Sequence, residues 1–347
     1  MDTAGIAVVG AGYWGPNLVR NFAADEGSTL RWVCDLDEER AAQLAGRFGV
    51  ENVTSKLADV LADDAVRGVA IATPVSTHAE IAEACFDAGK DVLIEKPLAH
   101  SLDAGVAMVE RAEAAGSVLM VDHTFCYTST ILHIRDMVQA GDLGLFQYYD
   151  SIRINLGLVQ SDVDVMWDLA PHDFSIIDFI LPDDIQPVSI AAVGTDPLGV
   201  GHVCVAYVTV NLSNGATAHM HLNWLSPVKM RKVMIGGSQR MLVWDDIRPE
   251  QRLSIYDTGA DLHDASEPRR REALVAYRIG DMVAPALPEV EALSRVAAEF
   301  RNAINTRSVP ETDGRSGLRV LAMLDAATRS LEADGASVAI PRFPASP

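Results

Sequence analysis

Lys96 stands where a charged side chain is well placed to act on a ligand. Residues 92–97 read Val-Leu-Ile-Glu-Lys-Pro, an apolar run that ends in a charged pair and a proline. This pattern is typical of a buried strand that reaches the rim of a sheet. Ligands of open parallel sheets bind outside the carboxyl ends of the strands. The sequence therefore predicts that Lys96 lies beside a bound substrate.

Asp168 and His172 form a second candidate pair, four residues apart, with Pro171 suited to the first turn of a helix. Removing the proton of an alcohol requires a base of moderate pKa, and imidazole is the usual choice. The pattern favours His172 as proton acceptor and Asp168 as the group that orients it. Lys96 is the cation that would stabilise the developing alkoxide. The alternative for His172 is a hydrogen bond to the backbone at a helix N-terminus.

A glycine-rich turn near the N-terminus could bring a cofactor to these groups. A short apolar strand precedes Gly-Ala-Gly-Tyr-Trp-Gly at residues 10–15, and a helical pattern follows it. That context gives a Gly-x-Gly-x-x-Gly motif its meaning. Gly10 permits the tight turn, Gly12 lets a pyrophosphate approach, and Gly15 allows close packing of helix and strand. The motif predicts a dinucleotide-binding turn.

Asp35 ends the next predicted strand, at residues 29–34, and lies 20 residues beyond Gly15. A carboxylate at this spacing is expected to bind the ribose hydroxyls of the cofactor. Asp35 would repel a 2′-phosphate, and no arginine adjoins it in the sequence, so NAD is favoured over NADP. The alternative is that Asp35 caps a helix over residues 37–48.

Strand and helix patterns alternate through the first third of the chain. Further strands are predicted at residues 68–73, 91–95 and 117–121, and helices at residues 77–88 and 101–115. Such a βαβ series predicts a doubly wound parallel sheet, that is, an α/β Rossmann domain. We expect this NAD-binding domain to span residues 1–122.

From His123 onward the pattern changes to long alternating strands. Strands are predicted at residues 145–155, 202–212, 216–225, 229–235 and 240–244, and helices at 128–140, 289–305 and 315–333. Asn214-Gly215 is a strong hairpin signal. We expect residues 123–347 to form an α+β domain for substrate binding and oligomerisation, with an open-faced, mainly antiparallel sheet. Its exposed face is expected to join subunits into a dimer or tetramer.

The sequence resembles the Gfo/Idh/MocA oxidoreductases over essentially its whole length. The resemblance is carried by the glycine turn, Ala72-Thr73-Pro74, His78 and above all Glu95-Lys96-Pro97. It implies an NAD(P)-dependent oxidoreductase acting on CH–OH groups, no metal, and often a cis Lys96–Pro97 peptide. It also implies catalytic roles for Lys96, Asp168 and His172. The implied cofactor-binding residues are Gly10, Gly12, Tyr13, Trp14, Gly15, Asp35, Thr73, Pro74, His78, Glu95 and Lys96. Capping or packing is the alternative for His78.

Residues 156–167 are predicted to line the substrate site. Trp167 offers an apolar face to a pyranose ring, and the alternative is a structural loop with Trp167 in the core. The expected substrate-binding residues are Lys96, Tyr127, Asn155, Gln160, Asp164, Trp167, Asp168 and His172. Residues 159–173 and 224–229 are similar to sugar 3-dehydrogenases of the family. This similarity implies oxidation of a ring hydroxyl, at C3, to a ketone.

Charge near this segment favours one class of sugar. No lysine or arginine lies between Leu156 and Phe174, whereas Asp162, Asp164 and Asp168 do. Carboxylates favour ammonium groups over a diphosphate, so an amino sugar or aminoglycoside is favoured. Three alternatives stay open: a UDP-N-acetyl-amino-sugar 3-dehydrogenase, an inositol or free-sugar dehydrogenase, and a non-catalytic NAD-binding regulator.

Composition excludes several other classes of function. The 347 residues carry a formal net charge of −20, which disfavours nucleic acid and anionic membranes as partners. There is no run of about 18 apolar residues and no signal-peptide pattern, so a cytoplasmic protein is expected. The four cysteines are scattered and are expected to be reduced. His219 and His221 share a predicted sheet face but lack a third ligand, so no metal site is predicted.

Overall fold

The computed structural model describes residues 3–157, 159–160, 163–262 and 275–345. The chain forms two compact units. The first comprises Met1–Thr128, Glu289–Asp325 and Arg342–Pro347, and the second comprises Ser129–Pro288 and Ala326–Pro341. These units interleave along the sequence, whereas the predicted domains, 1–122 and 123–347, divide it once. That domain division stays a prediction.

A six-stranded sheet forms the centre of the first unit. Its strands are β1 Ala4–Val9, β2 Ser28–Cys34, β3 Asn52–Thr54, β4 Gly68–Ile71, β5 Asp91–Glu95 and β6 Leu119–Asp122. All neighbouring pairs are parallel, in the order β3-β2-β1-β4-β5-β6. The predicted doubly wound parallel sheet is confirmed. Its strand order reverses between β1 and β4, where α/β proteins bind ligands.

Helices connect these strands, and their ends follow from capping residues. They are α1 Gly15–Ala24, α2 Glu38–Phe48, α3 Leu57–Leu61, α4 His78–Asp87 and α5 Leu102–Ala115. Asp37 caps α2 by accepting a hydrogen bond from the amide of Arg40 at 3.0 Å, and Ser101 caps α5 in the same way. Strand β1 is buried along its whole length, as expected of a parallel strand covered on both faces.

The second unit contains a nine-stranded, mostly antiparallel sheet. Its elements are α6 Ser129–Gln139, β7 Phe146–Leu156, α7 Val165–Ile180, β8 Pro187–Thr195, β9 Val205–Leu212, β10 Thr217–Asn223, β11 Leu225–Gly237, β12 Met241–Asp245, β13 Leu253–Leu262 and β14 Val275–Val283, with β15 Val338–Ala339 at one edge. The order is β14-β13-β12-β11-β7-β10-β9-β8-β15, and only β7 and β10 run parallel within it. The predicted open-faced sheet is confirmed.

The two faces of this sheet differ in character. Residues of β9 and β10 alternate, and helix α7 packs on their apolar side. The other side carries Tyr207, whose ring stacks on His221 with centroids 4.6 Å apart, and His219. Among the described residues, no group of three or more His, Cys, Asp and Glu side chains could hold a metal ion.

Two long helices complete the chain, α8 Ala292–Thr306 and α9 Gly314–Glu332, close to their predicted positions. Helix α8 packs on α1 and β1 within the first unit. In the described part of the chain, no helix combines the length and apolarity that crossing a membrane requires.

Candidate active site

The glycine turn joins β1 to α1 in the first unit. Gly10 has a φ of +101°, and a Cβ on it would lie 2.5 Å from the carbonyl oxygen of Ala72. A Cβ on Gly15 would lie 2.0 Å from the carbonyl oxygen of Gly10, so this turn requires glycine at both positions. A Cβ on Gly12 would meet nothing within 4 Å. The turn therefore leaves open space at Gly12, as the approach of a pyrophosphate requires.

Asp35 follows β2 at the same rim. Its Oδ2 accepts the amide of Ala11 at 2.6 Å, and its Oδ1 accepts the amide of Asp37 at 2.9 Å and Arg40 Nη2 at 2.6 Å. Burial acts to raise the pKa of Asp35, but these hydrogen bonds outweigh it and hold that pKa below its usual value. The expectation that no arginine lies beside Asp35 is wrong, because the first turn of α2 brings Arg40 to it. The helix cap of α2 is Asp37.

His78 holds together two loops that follow neighbouring strands. Its Nδ1 lies 3.1 Å from the carbonyl oxygen of Pro97, and its Nε2 lies 3.0 Å from that of Thr73. Burial lowers the pKa of His78, although the two carbonyl oxygens act to raise it. Both nitrogens therefore face backbone carbonyl oxygens, which agrees with the packing alternative, and cofactor binding by His78 stays a prediction. The Lys96–Pro97 peptide is cis, as the resemblance implied.

Lys96 follows β5 and adjoins a cluster of polar side chains. Its backbone amide donates to Glu95 Oε2 at 3.2 Å. Strand register aligns Glu95 with Asp122 on β6. Asp122 accepts hydrogen bonds from Trp14 Nε1 at 3.4 Å and from Thr124 Oγ1 at 2.7 Å. Lys96 therefore lies at a rim that also contains two carboxyl groups and the indole of the glycine turn.

Burial changes the ionisation of this cluster. It raises the pKa of Glu95 well above the usual value and raises the pKa of Asp122. Burial, aided by the charge of Lys96, lowers the pKa of His123 to about 3. Sequence reasoning missed Asp122 and His123 as site residues. Their position directly at the end of β6, as Lys96 follows β5, was a signal that could have identified them.

Helix α7 carries Asp168 and His172 in the second unit. Asp164 Oδ1 accepts the amides of Met166 and Trp167, each at 2.9 Å, so the helix begins at Val165. The expectation that Pro171 opens this helix is wrong, because the Asp164 cap starts it earlier. Asp168 and His172 therefore lie one turn apart within a single helix, and side chains at this spacing share a face.

Hydrogen bonds to two of its acidic side chains hold this helix in place. Trp224, which is 2% exposed, donates from Nε1 to Asp168 Oδ2 at 3.1 Å. Asp173 is fully buried and accepts hydrogen bonds from Arg153 on β7, with Nε to Oδ2 at 3.1 Å. Ser151 and Tyr149 also donate to Asp173, at 2.8 and 3.1 Å. Asp173 therefore ties α7 to β7.

The other predicted site residues have varied surroundings. Tyr127 is 3% exposed and its hydroxyl lies 3.0 Å from Thr312 Oγ1, and its contact with substrate stays a prediction. Trp167 donates from Nε1 to Thr328 Oγ1 at 3.0 Å.

Asn155 lies in β7, and Gln160 is exposed outside any helix or strand. Tyr13 is 91% exposed in the glycine turn, and Pro74 follows β4. Asp162 lies outside the described residues.

Two family models match the chain. Residues 4–123 match the oxidoreductase family with an NAD-binding Rossmann fold, and residues 161–340 match the C-terminal alpha/beta domain of that oxidoreductase family. The chain therefore belongs to the Gfo/Idh/MocA oxidoreductase family. It is an NAD-dependent oxidoreductase, and the expected cofactor and enzyme class are confirmed.

Two named dehydrogenases are similar in sequence to this chain, one over most of its length and one over about half. The UDP-N-acetylglucosamine 3-dehydrogenase of Acidithiobacillus ferrooxidans is 30% identical over 322 residues, which cover 91% of this chain and 93% of that protein. Its solved structure superposes with a TM-score of 0.80 at 28% identity, covering 96% of this chain and 99% of the other. The scyllo-inositol 2-dehydrogenase (NAD+) of Bacillus subtilis is 28% identical over 189 residues, covering 53% and 55% of the two chains.

A solved structure of GenD2, from gentamicin A biosynthesis and in complex with NAD, has the same fold. It superposes with a TM-score of 0.81 at 24% identity and covers 99% of this chain and 97% of the other. At 24% identity this similarity shows a shared fold.

Proposed function

We propose that this enzyme oxidises a ring hydroxyl, at C3, of an amino sugar to a ketone. The observation that carries the proposal is the 30% identity, over 91% of the chain, to a relative named UDP-N-acetylglucosamine 3-dehydrogenase. The glycine turn and Asp35 fit NAD, because Gly12 leaves space for a pyrophosphate and Asp35 is an ionised acceptor at the rim. When bound, NAD+ supplies the hydride acceptor. The carboxylate of Asp35 also supports a preference for NAD over NADP.

Three side chains of this enzyme have proposed roles in the reaction. His172 accepts the proton of the sugar hydroxyl, because imidazole has a suitable basicity near neutral pH. The ammonium group of Lys96 stabilises the negative charge that develops on the hydroxyl oxygen. Asp168 orients the base, and its bond from Trp224 supports this role by holding the carboxylate in one direction.

Charge supports a cationic amino sugar or aminoglycoside as the substrate. The segment from residue 156 to residue 174 contains no lysine or arginine, and the whole chain carries a net charge of −20. Asp164, whose Oδ1 accepts two backbone amides at the start of α7, adds an acidic side chain to this segment. The second candidate is a UDP-linked amino sugar, which the name of the 30% identical relative favours.

A screen for NADH formation tests both candidates. Purified enzyme and NAD+ are incubated with aminoglycosides, UDP-N-acetyl-amino sugars and inositols, and NADH is followed by its absorbance. We expect turnover of an amino sugar, with aminoglycosides preferred. Turnover of only UDP-sugars would contradict the charge argument, and turnover of only inositols would contradict the amino-sugar assignment. His172→Ala should lose turnover but keep NADH binding. A protein that binds NADH and oxidises nothing would favour the regulator.

The open sheet face supports self-association as part of the same proposal. Tyr207 is 43% exposed and stacks on His221, and Val193 on the neighbouring strand β8 is also exposed. Such a face is expected to be covered by a second copy of the chain. Sedimentation of the wild type and of Tyr207→Asp should show a dimer or tetramer that the substitution weakens.

A further inference from the structure

Glu95 and Asp122 are acidic side chains at the rim of the first sheet, beside Lys96. The register of β5 and β6 makes them neighbours, and each carboxyl group acts on the pKa of the other. An ionised carboxylate only accepts hydrogen bonds, so a bond between two carboxyl groups requires one proton. A pair bonded in this way carries one negative charge.

The surrounding contacts determine which carboxyl holds the proton. Asp122 accepts from Trp14 Nε1 at 3.4 Å and from Thr124 Oγ1 at 2.7 Å, and such donors stabilise a charged carboxylate. Glu95 Oε2 accepts the amide of Lys96 at 3.2 Å. Glu95 Oε1 is buried, and no donor in the described part of the chain reaches it. A proton on Glu95 turns this buried acceptor without a donor into a donor, which favours Glu95 as the neutral partner.

Lys96 supplies the opposite charge. Burial raises the pKa of both carboxyl groups, and the charge of Lys96 acts against that rise. The charge of Lys96 also acts on His123, whose pKa is lowered to about 3, so His123 is uncharged near neutral pH. Within this cluster of the first unit, one positive charge thus adjoins one negative charge. Two adjacent ionised carboxylates would repel each other and exceed the charge of one ammonium group.

We propose that Glu95 and Asp122 share one proton and together form the counter-charge that positions Lys96. The importance of Lys96 for turnover rests on the proposed function, whereas the shared proton is a property of the first unit alone. Glu95 and Asp122 are positioning residues that act through Lys96. Asp122 holds the charge and Glu95 donates to it.

Difference infrared spectroscopy of the full chain tests the shared proton without any substrate. We expect the wild type to show the carbonyl band of a protonated carboxyl group near neutral pH, and Glu95→Gln to lack that band. The matched control is Asp91→Asn, in the same strand. Asp91 is buried but accepts from the amide of Val118 and from Arg307 Nη1, each at 2.7 Å, so its substitution should leave the band. Absence of the band from the wild type overturns the proposal.

A labelled sample assigns the band independently of folding in Glu95→Gln. In protein containing carbon-13 glutamate, the band of a protonated glutamic acid shifts and that of an aspartic acid does not. We expect a shift. An unshifted band would place the proton elsewhere and contradict the role of Glu95.

Kinetics with the substrate found in the screen test the positioning role. Glu95→Gln keeps a neutral donor to Asp122, so its kcat should fall less than that of Asp122→Asn. Asp122→Asn removes the charge, and its kcat should fall about 10- to 100-fold with little change in the KM for NAD. A larger fall for Glu95→Gln than for Asp122→Asn would contradict the assignment. If no sugar is oxidised but the infrared band is present, the proposed function fails and the shared proton stands.

Discussion

The indole nitrogen of Trp224 donates a hydrogen bond of 3.1 Å to Asp168 Oδ2. This bond joins the junction of β10 and β11 to the first turn of α7. It fixes the direction of one carboxylate oxygen on the helix that also carries His172. Asp168 precedes Trp224 by 56 residues in the sequence. Because this carboxylate is held in one direction, it can orient a neighbouring base in one direction only.

Trp224→Phe removes this donor and keeps an aromatic ring. We expect kcat to fall about tenfold, because a misplaced carboxylate orients the base poorly, with NADH affinity unchanged. The matched control is Trp32→Phe, which removes an indole donor to Asp63 at 2.8 Å in the first unit. Steady-state kinetics and NADH fluorescence titration give both values. Equal falls of kcat in the two variants would show a general effect of losing an indole bond.

Arg40 is expected to determine how the enzyme responds to loss of Asp35. In the wild type its guanidinium is paired with Asp35 at 2.6 Å. Asp35→Ala should weaken NAD binding about tenfold and strengthen NADP binding, because Arg40 is then available to a 2′-phosphate. Asp35→Ala combined with Arg40→Ala should lose the gain in NADP affinity. Arg47→Ala, on the same helix, is the control. NADP affinity that is equal in the single and double variants would contradict this role of Arg40.

His123 should make the fold sensitive to acid. The pKa of this buried residue is lowered to about 3, whereas an unfolded histidine has a model value of 6.5. As pH falls below about 6.5 the unfolded chain takes up a proton that the folded chain refuses, so stability is lost down to about pH 3. The loss is on the order of a few kcal/mol.

Urea unfolding between pH 7 and pH 4 measures this loss. His123→Asn should lessen the fall in unfolding free energy with decreasing pH, and His100→Asn, at an exposed position, should leave it as in the wild type. An unchanged slope in His123→Asn would contradict the assignment.

The buried pair of Asp173 and Arg153 should contribute strongly to the stability of the second unit. Asp173→Asn leaves the guanidinium buried without its counter-charge, and we expect a loss of about 3 kcal/mol or more. Glu291→Gln, which breaks the exposed pair with Arg20, should cost less than about 1 kcal/mol. Urea denaturation compares the two. In addition, Asp173→Leu with Arg153→Met should recover part of the loss, and a double variant as unstable as Asp173→Asn would contradict this account.

Local sequence patterns predicted the elements whose formation is decided by local chemistry. The apolar run before Lys96 is β5, and the glycines at positions 10 and 15 meet backbone that excludes a side chain. The four-residue spacing of Asp168 and His172 falls within one helix. In each case the residues that determine the structure are neighbours in the sequence.

Contacts between distant residues could not be predicted in this way. Trp224 and Asp168 are brought together by the path of the sheet, which periodicity does not specify. The start of α7 was misplaced because both Asp164 and Pro171 can open a helix, and only the hydrogen bonds of the folded chain distinguish them. The polar residues from 257 to 262 lack a strand pattern, but they belong to β13 because pairing with β14 continues to residue 262.

The imidazole of His78 has a consequence for redesign of the cofactor pocket. Because one ring contacts the carbonyl oxygens of both Thr73 and Pro97, the loops after β4 and β5 share a single support. A sequence graft that replaces either loop alone would leave the other without its partner. Cofactor engineering in this scaffold should therefore exchange Thr73, His78 and the Lys96–Pro97 peptide as one transferable unit.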